Sequence, residues 1–299
     1  MAGRHHFVPQ GFLRGFAADP ERSFVWTYDK RDGRRPKRKA IKAIAWQQDY
    51  YAQERQDGSL DRDTLERAIA TEIDNAAPLI IRSIDTRPGD RVRLTTDERV
   101  QLALFVAFSL TRVPSFRDGI DEVHTRLAEI TLSMAAQRDP RPQKAIEDGI
   151  RAIAKPSGSL RPMVQSAKDL AHSLIGKCWQ FYVAPPDVPL PTSDNPVIFD
   201  SAYAAVSIGL QPTASLPVGP AHPMAEVVMN LRSDLALVCT PRDMKLDLLT
   251  FPLSPFDARK FTRGLVRAAR HRVFYCRRCE SFEALVKKYR GQEQRVRGT

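Results

Sequence analysis

Hydrophobic and polar residues change rhythm several times along this chain, and each change marks an element. From Thr95 the residues read TTDERVQLALFVAFSLT, apolar nearly all round by Leu110, which predicts a helix at the centre of a core. Thr95 and Glu98 have capping-box spacing at its start, and Pro114 is expected to kink or end it. Before it, Leu65, Ile69, Ile73, Leu79 and Ile80 give approximate helical spacing over 62–85, with Asp63 and Glu66 as a second capping box. After Pro114, residues 117–137 look helical, 138–160 hold a shorter helix between turns, and 161–176 form another helix up to Gly176.

The two ends follow a different rhythm. Pro9 suits the first turn of a short helix whose Phe12, Leu13 and Phe16 share a face. SFVWTYDK (23–30) alternates large apolar and polar residues as a half-buried strand does. Asp32-Gly33 then turns the chain into a second strand around 38–45, with WQQDYYAQ (46–53) as an aromatic connection. CWQFYVA (178–184), AEVVMNL, LALVCT and RVFYC are β-like runs, with a proline-punctuated loop at 185–200 and a last helix at 256–270. The pattern predicts an α+β fold, a helical middle segment packed with a mixed or antiparallel sheet built from N-terminal and C-terminal strands. One domain over 1–299 is expected, with a basic C-terminal tail from about 285.

Composition adds little until charge is mapped along the chain. Hydrophobic content of 42% and charged content of 27% exclude wholesale disorder. The longest apolar stretch, LALFVAFSL, is too short to span a bilayer and no secretory leader is apparent, so a soluble, cytoplasmic protein is expected, with no membrane partner. The net charge of +11 is local: residues 30–42 carry +7 and residues 263–299 carry +8, leaving the remainder at about −4. Such segments attract phosphate backbones or acidic surfaces, which makes nucleic acid the expected partner of 30–42 and 263–299. Cys178 and Cys239 lie in apolar runs, while Cys276 and Cys279 form a CxxC without the second ligand pair a structural zinc site requires.

Several stretches together resemble one bacterial family: HHFVPQGFLRGF (5–16), VWTYDK, DYY, FVAFSLTRVPSFR (105–117) and TSDNPV (192–197). Their order is similar to that of domain of unknown function 4238, whose members open on an HHxVPQxxLRxF-like motif and later carry RxP and (T/S)SDNPV segments. The resemblance covers most of the chain but brings no activity with it. A PLSP-like segment common in the family is matched imperfectly near Leu231 and Ser233, and a literal PLSP stands at 252–255.

Candidate chemistry gathers in three of these segments. In an extended strand His5 and His6 point to opposite faces, whereas a turn ahead of the helix lets both enter a cleft. With Gln10 and Arg14 on the helix that follows, the group suits an anion such as phosphate. Asp194 either forms a local turn or meets a histidine, orienting an imidazole or completing a metal site; Ser193 and Asn195 offer further polar groups. Arg112, at the end of the apolar helix, is expected to anchor a buried carboxylate such as Asp194 or to bind an anionic ligand. Trp26, Tyr28, Tyr50 and Tyr51 are read as core.

Two functions follow as expectations. One is a hydrolase of a phosphate-containing substrate, nucleic acid above all. His5 or His6 is then its base or metal ligand, Asp194 the partner, Ser193 a candidate nucleophile, and Arg14 or Arg112 the charge stabiliser. The other is a non-catalytic module for nucleic acid or an acidic surface, in which the same motifs lock the chain together.

Overall fold

A computed structural model of the chain describes residues 3–19, 21–31, 35–55, 57–85, 87–138, 158–200, 219–241 and 244–294. The N-terminal part supplies β1 (Arg4–His6), α1 (Gln10–Leu13) continuing as a 3-10 turn (Arg14–Phe16), β2 (Phe24–Asp29), β3 (Lys37–Ala40), β4 (Trp46–Gln48), β5 (Gln53–Glu54) and β6 (Leu60–Asp61). The helical middle holds α2 (Thr64–Ile69), α3 (Ala77–Ser83), α4 (Thr96–Thr111), α5 (Pro114–Arg138) and α6 (Leu160–Ile175). Then come β7 (Cys178–Val183), β8 (Thr192–Ser193), β9 (Val197–Asp200), β10 (Glu226–Arg232), β11 (Leu235–Thr240) and β12 (Leu249–Pro252). The last elements are α7 (Pro255–Ala268), β13 (Arg272–Tyr275) and α8 (Glu280–Lys288).

The fold is α+β, but the strands divide between two main sheets. A five-stranded sheet in the order β12-β7-β11-β10-β9 comes from the C-terminal half and is mixed, because only β12 and β7 run parallel. The second, β3-β2-β13-β8, is antiparallel and joins the two ends of the chain. Its register sets Trp26 opposite both Arg38 and Tyr275, and Val273 opposite Ser193. Short pairs β1-β4 and β5-β6 complete the strands.

The centre is α4. Thr95 and Glu98 form the full capping box, and the helix buries Leu102, Ala103, Phe105, Val106, Phe108 and Leu110. Beside it, α6 presents Leu160, Met163, Ala167, Leu170 and Leu174, one apolar stripe at helical spacing. Phe12 reaches the same core, its ring 5.2 Å from Phe16 and 5.5 Å from Phe105. Tyr28, Tyr50 and Tyr51 are buried and Trp26 is half-buried, as core aromatics are.

Several local expectations are corrected. The helix expected over 62–85 is interrupted by a π-helical stretch at Ala70–Asp74, where Asn75 N–H donates to Ala70 O, and α3 restarts with Pro78 in its first turn. The Asp63–Glu66 box does not form, because Asp61 accepts from the Thr64 N–H and hydroxyl and Glu66 turns toward His5. Strand β3 stops at Ala40, and the aromatic connection contains β4, paired to β1. The loop at 185–200 contributes β8 and β9. α8 ends at Lys288, so the tail expected from about 285 overlaps its last turn. The short helix in 138–160, the Asp32-Gly33 turn and residues 295–299 lie outside the described residues. Among the described residues, no helix is long and apolar enough to cross a membrane.

Candidate functional site

The two histidines occupy opposite faces of β1, as strand geometry requires. His5 is fully buried: its Nδ1 accepts from the Tyr51 N–H at 2.9 Å, and its ring stacks on Tyr51 at 5.7 Å. That bond places the imidazole proton on Nε2, which faces Glu66 Oε2 at 3.3 Å. Burial pushes the Glu66 carboxyl up, while His5 pulls it back. Gly3 covers the ring so closely that a Cβ there would stand 2.5 Å from Nε2. His5 is enclosed.

His6 is half-buried, and its Nε2 has no hydrogen-bond partner among the described residues. Burial pushes its pKa below 6.5; the Lys42 backbone opposes the shift and Arg4 adds to it. The unfolded chain therefore takes up this proton first on acidification. The stabilising effect is complete above the ordinary histidine value and is lost as the pH falls through the lower folded value. His6→Gln is expected to flatten the acid limb of Tm against pH below the ordinary histidine value, as read by differential scanning calorimetry. An unchanged limb would remove His6 as its source.

The TSDNPV segment meets another part of the chain. Asp194 Oδ1 accepts from the Arg270 N–H, and Oδ2 from the His271 and Arg272 N–H groups, each at 2.9 Å. Burial pushes this carboxyl up against the pull of those amides. Asn195 Nδ2 donates to Ala268 O and Gln294 O, and Ser193 Oγ is closed in a local turn with the Asn195 backbone. Lys30 Nζ, also buried, donates to Val266 O, Ala269 O and Gln292 O. The segment therefore fastens the turn from α7 into β13. The expected His–Asp pairing is corrected: both Asp194 oxygens are taken by amides of that turn, and His5 is taken by Tyr51 and Glu66.

Arg112 is fully buried, and its Nη1 donates to both oxygens of Asp74 at 2.9 Å. Burial works against its charge, but Asp74 and Tyr51 outweigh it and hold its pKa up. Its carboxylate is Asp74, not Asp194, because the π-helical stretch ends beside the end of α4. The Tyr50 hydroxyl donates to Arg112 O, and Arg117 lies over the Tyr50 ring while its Nε donates to Ser159 Oγ. The DYY and RxP segments are thus one packed unit. The sequence marks Glu66 only as a capping-box residue and Asp74 not at all, since among so many helix-face acids nothing local marks the pair with a buried partner.

The exposed cations are elsewhere. β3 and β13 flank β2, and register puts Lys37, Lys39 and Arg272 on one sheet face with Asp29. Burial, then Arg272 and Lys37, push the Lys39 amine down. Burial works to raise the Asp29 carboxyl, but Arg31 hydrogen bonds hold it low. Arg259, Arg263 and Arg267 stand exposed at successive turns of α7. Arg14 is exposed and lines a cleft with Arg22, Arg82 and Arg232, which neither histidine nor Gln10 lines. Cys178 and Cys239 are buried, and Cys276 and Cys279 are half-buried free thiols. Among the described residues, no group of three or more His, Cys, Asp or Glu side chains is placed to hold a metal ion.

A family model described as "Protein of unknown function (DUF4238)" matches residues 4–278. No curated protein and no solved structure matches the chain.

Proposed function

We propose, for a chain that belongs to the DUF4238 family, a nucleic-acid-binding module in which the family motifs hold the fold and carry no turnover. The observation behind this reading is the convergence of two basic segments, distant in sequence, on one sheet face: Lys37 and Lys39 of β3 and Arg272 of β13, with β2 and its one acid, Asp29, between them. Gathering like charges is unfavourable, and a phosphate backbone relieves it while releasing its own counterions. Arg259, Arg263 and Arg267 add a stripe in which like charges recur four residues apart, an arrangement that weakens an isolated helix. A phosphate hydrolase would need a reactive pair. With His5 enclosed and the Asp194 oxygens occupied by amides, the motifs favour anchoring over chemistry.

The test is the salt dependence of binding to a fluorescent single-stranded oligonucleotide, followed by anisotropy. Replacing Lys37, Lys39 and Arg272 together by alanine is expected to reduce the slope of log K against log salt by about 2. The same oligonucleotide should stay intact with and without divalent metal. Salt-insensitive binding, an unchanged slope in the triple variant, or cleavage would each overturn the reading.

A further inference from the structure

The geometry points to a second and separate site: the cleft lined by Arg14 is a binding site for the phosphate group of a small organic phosphate. The cleft has a volume of about 690 Å³, within the range of small-ligand sites. Its walls come from distant parts of the chain, namely α1 with its 3-10 turn, the loop before β2, the end of α3, and the β10–β11 hairpin.

Those walls are tied together. The Ser233 N–H donates to Gly15 O, and Arg232 reaches from the hairpin to α3, its Nη1 donating to Ile81 O and its Nη2 to Ile84 O. Gly11 and Gly15 permit the close approach, since a Cβ at Gly15 would stand 3.1 Å from Arg232 Cβ and one at Gly11 3.0 Å from Pro78 Cγ. A site held in this way loses little freedom when a ligand enters.

Charge decides what enters. Four arginines against two aspartates leave the lining at +2. Both acids are engaged: Asp234 accepts from Arg232 Nε, and Asp19 accepts from the Ser23 and Phe24 N–H groups. Arg232 is engaged in turn. Arg14, Arg22 and Arg82 are exposed and have no side-chain hydrogen bond or ion pair among the described residues. Three free guanidinium forks facing one concavity match the several oxygens of a phosphate, which they can hold in pairs. Between them the half-buried Ala17 and Pro78, backed by the buried Phe12, Ile81 and Leu231, give an apolar floor on which the organic body of the ligand rests.

The experiment is isothermal titration of the full chain with a nucleoside 5′-monophosphate, with the same nucleoside lacking phosphate, and with inorganic phosphate. The nucleotide is expected to bind at one site and the nucleoside not to bind measurably. Arg14→Ala and Arg82→Ala, both at exposed side chains, should each weaken the nucleotide by about tenfold. On titration the Gly15 and Ser233 amide resonances should shift. A nucleotide tighter than inorganic phosphate identifies an organic phosphate that uses the floor. Equal affinity would remove the organic body from the proposal and overturn that part of it. A nucleoside that binds as tightly as its phosphate, arginine variants that bind like the parent, or amide shifts confined to other regions would overturn the site. The Lys37, Lys39 and Arg272 triple variant should retain this binding, so failure here and failure of the nucleic-acid surface are separable.

Discussion

Replacing Asp194 by alanine is expected to lower the Tm of this protein by roughly 6–10 °C. Three backbone N–H groups, those of Arg270, His271 and Arg272, converge on one carboxylate that is 8% exposed. Hydrogen bonds to a charged group contribute about 1.5–3 kcal/mol each, and bonds to a shared acceptor do not add fully, so about 3–5 kcal/mol is at stake. In a chain of this size each kcal/mol moves Tm by about 2 °C. Asp194→Asn should lose less. Its one carbonyl oxygen can keep the His271 and Arg272 amides, while its NH₂ group confronts the Arg270 N–H. Thermal denaturation gives the size of the effect, and amide exchange at 270–272 gives its place. A Tm left unchanged by Asp194→Ala, with loss of a phosphoesterase turnover, would return Asp194 to a catalytic role and defeat the anchoring account.

The second large effect lies at Arg112. Arg112→Met is expected to destabilise by about 3–5 kcal/mol, because it leaves the Asp74 carboxylate facing the place where its cation stood. Adding Asp74→Leu should recover most of that loss. The double variant removes both charges, and with them two guanidinium nitrogens, Nε and Nη2, that are buried with no hydrogen-bond partner among the described residues. Urea denaturation of the parent, the two single variants and the double gives the coupling energy directly. If the double variant is as unstable as the sum of the singles, the two side chains act separately and the pair is not the reason Arg112 is buried.

These two residues show how far a sequence reaches. Most of the elements that were legible were those with a strong local signal. The Thr95–Glu98 capping box, the all-round apolar run of α4, and the short β-like runs before and after α7 stand where their patterns place them. The failures have local causes too. The helix expected over 62–85 breaks at the π-helical stretch, which an approximate apolar period does not reveal. β1 and β4 are three-residue strands whose pairing makes them strands.

What the sequence determined by itself was the α+β class, the buried aromatics, the two basic segments, and a set of polar residues in motifs that resemble one family. The tertiary structure alone decided their partners. Asp194 is joined to amides of residues 270–272, His5 to Glu66, Arg112 to Asp74, and Arg14 to a cleft it shares with Arg22 and Arg82. The physical reason is range. Periodicity and capping act over a few neighbouring residues, whereas almost all of these relations link groups tens of residues apart. They exist only once helices and sheets have packed and left particular amides, carboxylates and guanidinium groups facing one another.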